Sequence, residues 1–417
     1  MQTQQKLLDF YEALRLVLEH TGRLPVERVP LQEAQGLAVA EDVRAQFDTP
    51  PFDNSAMDGY AIRSADAEVG REFRVVDEAP AGRPAERDVG EGEAVKIFTG
   101  GVIPAGADAV VPVEGTSGWG ESFELRKEVA PAANIRRAGE DVREGDVILP
   151  AGTEIGPPEI ALAASQGYGS LPVYRRPKVV VLSTGSELVQ PGERELAPGE
   201  IYDSNSFAMV AQAREAGAAA RKVSPAADDA AALRTAIREA LGEADVLVTS
   251  GGVSMGEKDL VREAMHELGV ERIFWGVKLK PGKPILFGAR EDVRVFGIPG
   301  NPVSAMVCFE LFVRPALVKM AGREDRRRPR IRVYFDEEVK NAYGRLHAMR
   351  VRLERTRRGW RATSVGAQGS GLISSLTKAD ALAMIGPETG GVPAGEEVEA
   401  VVLREDVLLR RSGAERC

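Results

Sequence analysis

Between Pro177 and about residue 322 the chain alternates short, unbroken apolar runs with longer segments of helical period. This alternation constrains the fold more than any other feature of the sequence. After Lys178 the run Val179-Val180-Val181-Leu182 has no polar residue to turn toward solvent on either face, as expected of a parallel strand covered by helices on both sides. Helical segments follow at 204–216 and 228–241, the second with Leu233, Ile237 and Leu241 at the spacing of one buried face. Strands at 245–249, 285–287 and 293–298, a helix at 259–268 and a long helix from Pro302 continue the pattern. The expected fold class is α/β multidomain, with a doubly wound α/β domain and a largely parallel sheet at its centre.

The other segments have different textures. A chain of 417 residues exceeds one ordinary core, and two to four domains are expected. Near the start, Leu7, Tyr11, Leu14 and Leu18 recur at helical spacing with Asp9, Glu12 and Arg15 between them, which predicts an amphipathic helix and not a signal peptide. From about Phe47, β-like runs at 73–76, 94–98, 109–113 and 123–125 are punctuated by Gly and Pro. The tripeptide Pro-Ala-Gly at 80–82, 104–106, 150–152 and 393–395 reads as turn chemistry, too irregularly spaced for a repeat. The charged stretch 323–330 predicts a linker, and strands at 331–335, 349–353, 360–364 and 397–402 predict a small C-terminal β domain.

The formal net charge of −9 argues against a general nucleic-acid-binding surface, and no apolar run has the length of a membrane span, so no membrane or nucleic-acid partner and a cytoplasmic location are expected. Two cysteines, Cys308 and Cys417, make no disulfide framework or thiolate metal site. Three histidines, His20, His266 and His347, give little support for zinc or histidine-based chemistry.

Chemistry is expected at the loops that follow the strands. Three are unusual: Ser183-Thr184-Gly185-Ser186-Glu187, Thr249-Ser250-Gly251-Gly252-Val253-Ser254 and Gly297-Ile298-Pro299-Gly300-Asn301-Pro302. In the third, Asn301 suits an N-cap and Pro302 the first helical position. One such loop is an ordinary strand-to-helix turn; three in one sheet favour a ligand bearing phosphate. Glu187, Asp203 and Asp259 stand beside them. Position alone makes the two aspartates helix N-caps, and the competing reading is a Mg²⁺ site shared with substrate phosphates. Lys278, Lys280 and Lys283 form either a solvated basic edge or a clamp on an oxyanion, with strand alternation placing the first two on one face. The segments 54–61, 98–101 and 136–141 read singly as turns, and Ser370 has no neighbouring base to make it a nucleophile.

Taken in order, the strings SAMDGYA, FTGG with PAGADAVVPVE, RRAGED, STGSEL, YDSN, TSGGVSMGEKD, KPGKP, GIPGNPVSA and GSG resemble the MoeA/gephyrin E-domain family over nearly the whole chain. The resemblance implies a four-part subunit in an elongated homodimer: residues 1–46 with 138–172 as an N-terminal helical and linker domain, 47–137 as an inserted β-rich domain, 173–322 as an α/β domain of molybdopterin-binding type, and 323–417 as a C-terminal β barrel. It implies that the cleft lies between the α/β domain of one subunit and elements of the other. The activity implied is Mg²⁺-dependent insertion of molybdate into adenylylated molybdopterin with release of AMP, the last common step of molybdenum cofactor biosynthesis. Further partners implied are the adenylyltransferase that makes the substrate and the apo-molybdoenzymes that receive the product.

At the matching positions, the resemblance gives Asp58, Thr99, Asp141, Glu187, Asp259, Lys278, Lys280 and Lys283 to the catalytic set, and Glu187, Asp203 and Asp259 to the metal. Thr184, Gly185, Ser186, Asp203, Ser250, Gly251, Gly252, Ser254, Pro299, Gly300, Asn301, Ser370 and Arg350, the last in a Gly-Arg-Leu-x-x-x-Arg context, bind the pterin substrate. Competing expectations are the adenylyltransferase itself, which resembles residues 173–322 alone, a binding scaffold like the related animal protein that anchors receptors, and a tungstate-inserting paralogue.

Overall fold

The computed structural model describes residues 7–224, 230–251, 260–323, 327–341, 344–388 and 390–409. Its largest sheet has six strands in the order Ala219–Val223, Lys178–Ser183, Val246–Ser250, Val293–Ile298, Leu286–Arg290, Glu271–Trp275. The first four are parallel. The last two run antiparallel to their neighbours, because Leu286–Arg290 and Val293–Ile298 form a hairpin whose tight turn holds Glu291 at φ 51°. The expectation of a largely parallel sheet therefore holds for the half that carries the Gly-rich loops, and the other half is a meander.

Both faces are buried, as the apolar runs demand. Val179, Val181, Val246 and Val248 point into one core, against the helices Phe10–Glu19, Asn205–Glu215 and the long rod from Pro302. Val180, Leu182 and Leu247 point into the other, against Ala230–Glu243 and Leu260–Glu267. The N-terminal helix buries Phe10, Ala13 and Val17, and Phe10 meets Phe312 edge to face at 5.3 Å between ring centroids.

The rod is not uniform. Helix Pro302–Cys308 passes through a π turn, Phe309–Val313, into helix Arg314–Met320. The cause is local: Pro315 has no N–H to give the preceding turn, and the helix widens to accommodate the missing bond.

Residues 26–44 pack with 147–174: Val26–Pro30 pairs antiparallel with Ser170–Tyr174, and Leu37, Val39, Leu149, Ile155 and Leu171 share a core. Between them lies a five-stranded sheet in the order Ala109–Pro112, Gly59–Ile62, Glu93–Ile97, Glu72–Ala79, Ser122–Glu124, with one apolar cluster on each face. At the C-terminus the strands Leu346–Thr356, Gly359–Ser364, Arg330–Tyr334, Glu397–Val402 and Ala381–Ile385 close into a five-strand barrel, since the last also pairs with the first. Leu279–Lys280, from the α/β part, adds to the barrel as a parallel partner of Leu346 and His347. No helix among the described residues is long and apolar enough to cross a membrane.

Candidate functional site

The strand register sets Ser183 beside Ser250 and Ser250 beside Ile298, so the three Gly-bearing loops leave the sheet side by side. From Lys178–Ser183 the chain runs outward to Ala219–Val223 and then crosses back to Val246–Ser250. The crevice between the first and third of these strands is therefore the topological switch point, where open α/β sheets bind ligands. The loops are tied together: Thr184 N donates to Ser250 O at 3.3 Å, Gly251 N donates to Ile298 O at 3.0 Å, and the Asn205 amide donates to Ser250 Oγ at 2.9 Å and Gly300 O at 2.7 Å. Gly251 has φ 86°, and a Cβ there would sit 3.1 Å from Thr184 O, so the turn needs glycine. Glu187 and Ser186 are exposed, and the Glu187 carboxylate folds back over Gly185. Pro299 is buried, whereas Gly300 and Asn301 face solvent, with Pro302 opening the helix. Among the described residues Thr249 Oγ1 and Asn205 Oδ1 are buried without a partner, a state that native structures keep mainly where another group, a ligand or water completes the bonding. Gly252, Ser254 and Asp259 lie outside the described residues.

Asp203 is 1% exposed, and both its oxygens are engaged: it accepts from Ser206 N at 3.1 Å, Ser206 Oγ at 2.5 Å and Ser183 Oγ at 2.8 Å. It ties the start of helix Asn205–Glu215 to the end of a strand, which is the geometry of a cap and not of an open metal ligand. Among the described residues no group of three or more His, Cys, Asp or Glu is placed to hold a metal ion.

The basic segment joins this edge from the barrel side. Lys278 and Lys283 are exposed, Lys280 is half-buried, and the buried Leu279 alternates with Lys278 and Lys280. Gly282, at φ 116°, lies so close to helix Pro302–Cys308 that a Cβ would come within 2.5 Å of Cys308 Sγ. At the start of the same helix, Val303 N donates to Ser370 O at 3.0 Å, which seats the GSG loop there. Behind that loop Arg350 is fully buried. Its Nη2 donates to Ala367 O and Gly369 O at 3.4 and 3.3 Å, while Nε and Nη1 have no hydrogen-bond partner among the described residues. Next to it His347 is held down to about 4 by burial and by the positive charges of Lys280, Arg350 and Arg345. The rod's first turn thus gathers the 299–301 loop and the GSG loop with Arg350 behind it, while the lysine turn packs at Cys308, the last residue of the same helix. Asn205, Thr249 and His347 were not singled out from sequence as site residues. Asn205 and Thr249 had visible cues, as the last letter of YDSN and the first of TSGG.

A second group forms elsewhere. The Asp58 carboxylate accepts from Thr99 N at 2.7 Å and Thr99 Oγ1 at 2.8 Å, bonds that hold it below the usual carboxylate range. Asn54–Ser55 pairs with Ile135–Arg136, Ser55 exchanges bonds with Gly100 and Gly101, and Arg137 pairs with Asp53 at 2.5 Å. Asp141 N donates to Thr49 O at 3.1 Å. Three segments, each unremarkable alone, make one surface on which Asp58, Thr99 and Asp141 are exposed. The bonds described for this surface close on residues 49–142, so it and the sheet edge form two separate groups.

Comparison with known proteins agrees with this architecture part by part. Residues 8–167 match the MoeA N-terminal region (domain I and II), 180–319 a probable molybdopterin binding domain, and 332–403 the MoeA C-terminal region (domain IV). The molybdopterin molybdenumtransferase of Haemophilus influenzae is 38% identical over 378 residues, covering 89% of this chain and 92% of that protein. Molybdopterin molybdenumtransferase 2 of Mycobacterium tuberculosis is 37% identical over 400 residues, covering 93% and 98%. A crystal structure of the MoeA protein of Pyrococcus horikoshii superposes with a TM-score of 0.82 at 32% identity, covering 95% of this chain and 99% of that one. With its inserted β-rich part, α/β sheet and barrel in this order, the chain belongs to the MoeA family of molybdopterin molybdenumtransferases.

Proposed function

We propose that this protein is a cytoplasmic molybdopterin molybdenumtransferase, which inserts molybdate into adenylylated molybdopterin and releases AMP. The observation that carries the reading is Arg350: a fully buried guanidinium with two donor nitrogens unpartnered among the described residues, behind the GSG loop seated on the rod's first turn, its charge bearing on His347 as that of Lys280 does. A buried cation with open donors is costly unless an anion completes it, and an oxyanion supplies acceptors on every side. In this reading the 184–187, 251 and 299–301 loops seat the substrate's phosphates, and Lys280 with Arg350 positions molybdate for capture by the dithiolene sulfurs. Water then replaces the pterin phosphate on the AMP phosphorus, so that one phosphoanhydride bond breaks and no covalent enzyme intermediate forms.

Mg²⁺ belongs to the proposal in a narrowed form. Asp203 is occupied as a cap, but Mg²⁺ takes one or two carboxylates together with phosphate oxygens, and the exposed Glu187 beside the phosphate loops suits that role. Bound there, the ion would neutralise the pyrophosphate. The exposed Asp58–Thr99–Asp141 surface, separate from the sheet edge in its bonding, fits a homodimer in which it completes the partner subunit's site.

The test is AMP release from adenylylated molybdopterin with Mg²⁺, with and without molybdate. Molybdate-dependent release that falls by at least about 100-fold in Lys280→Gln and in Arg350→Gln supports the reading. Equal release in the variants overturns the oxyanion assignment. Release with tungstate alone reassigns the metal.

A further inference from the structure

A cleft of about 520 Å³ lies on the seam between the α/β part and the barrel, roughly 18 Å along the rod from the helix start that gathers the proposed active site. Its walls are helix Arg314–Met320, the end of helix Asn205–Glu215, the linker at 327–329 and the residues after the last barrel strand. Among the described residues five arginines line it, Arg314, Arg323, Arg327, Arg328 and Arg404, with three carboxylates, Glu215, Glu405 and Asp406.

Several of the arginines have structural duties. Arg328 donates to Glu310 and to Glu215, both at 2.7 Å; Arg323 donates to Glu154 at 2.9 Å; Arg404 donates to Thr377 O at 2.7 Å. These bonds fix the walls. Arg314 differs. It is 7% exposed, its Nε lies 3.4 Å from Glu310 Oε1 without hydrogen-bond geometry, and its Nε and Nη1 are buried donors with no partner among the described residues. Glu310 is itself shared with Arg328, so one buried carboxylate serves two buried guanidiniums. Glu215 and Glu405 also face Arg328, at 2.7 and 3.7 Å, so the feature left open is the pair of Arg314 donors and not an excess of charge. The π turn Phe309–Val313 sets the spacing of Glu310 and Arg314, and such widened turns recur at functional sites.

We propose that this cleft is a second anion site, built for a phosphoryl group, with Arg314 at its floor and Arg404 at its rim. Guanidinium forks match the tetrahedral oxygens of a phosphoryl group, and the cleft has room for more than the bare anion. A ligand touching both residues would bridge the rod and the barrel and brace the seam.

The experiment is calorimetric titration of inorganic phosphate into the full-length protein and into Arg314→Gln, Arg404→Gln and Lys280→Gln, each checked for folding by circular dichroism. The expected result is saturable binding that weakens by at least about tenfold in Arg404→Gln and in folded Arg314→Gln, and persists in Lys280→Gln. If Arg314→Gln does not fold, Arg404→Gln decides. Absence of saturable binding by wild type, binding unchanged in folded Arg404→Gln, or binding lost only in Lys280→Gln overturns the proposal, the last because the phosphate would then sit at the sheet edge.

Discussion

His347 sits among cations and is itself kept uncharged. Burial and the fields of Lys280, Arg350 and Arg345 lower it from 6.5 to about 4. The folded state therefore binds fewer protons than the unfolded chain between these values, and stability rises with pH across that window. His347 contributes in full above about 6.5, and its contribution is lost as the pH falls toward 4. Thermal unfolding followed from pH 7 to pH 4 is expected to show a loss on the order of 1–3 kcal/mol that His347→Gln, which cannot titrate, lacks. Parallel pH curves for the two proteins would refute the assignment. Asp58 works in the opposite direction of charge: its bonds from Thr99 lower it, so it remains ionised, and its stabilisation is lost only as the pH falls through the acid range below the unfolded carboxylate value. Legibility at this scale was uneven. Sequence left Asp203 between cap and metal ligand, and the structure shows its carboxylate bonded to Ser206 and Ser183 at the start of the helix. Arg350 could not be read as buried, because in Met349-Arg350-Val351-Arg352 alternation puts both arginines on one face. Only the GSG loop, seventeen or more residues downstream, covers the first, a tertiary fact that no local pattern contains.

Among the elements, the turn at Pro281-Gly282-Lys283 is set by its packing on the rod. Gly282→Ala places a methyl 2.5 Å from Cys308 Sγ at φ 116°, so it meets both a clash and a strained backbone. Urea unfolding is expected to show a loss of about 2–4 kcal/mol. Adding Cys308→Ala relieves the clash and leaves the backbone strain, so the double variant recovers part of the loss. Simple additivity of the two changes would show that the turn does not lean on the helix. The rod's start was legible, since Asn301-Pro302 carries its own stop and start chemistry. Its π turn was not, because a proline inside a helical pattern announces a disturbance without saying which kind. The strands Ala219–Val223 and Glu271–Trp275 were also missed. Both are edges of the sheet, and Arg221, Lys222, Glu271 and Arg272 blur the apolar run by which the inner strands are recognised.

At the scale of the whole molecule, the order of the parts was readable because each has its own periodicity, whereas the way the parts meet was not. Whether the two separate residue groups cooperate across a dimer is open to a direct test. Sedimentation is expected to give twice the chain mass of 44.8 kDa. Asp58→Asn and Lys280→Gln, each inactive alone, should regain about a quarter of wild-type activity after unfolding and refolding as a mixture, since half the dimers are then mixed and each mixed dimer has one intact site. No recovery in verified mixed dimers would confine each site to one chain. The strand Leu279–Lys280 gives the subunit a further property. By covalent chain it belongs to the sheet domain, and by its hydrogen bonds it is a stave of the barrel, paired with Leu346 and His347. The barrel therefore cannot swing open like a door on a loose hinge without drawing the lysine with it. Lysine and barrel move as one lever, and an anion that grips the lysine also latches the door, so amide hydrogen exchange at Leu346 and His347 should slow when molybdate is added.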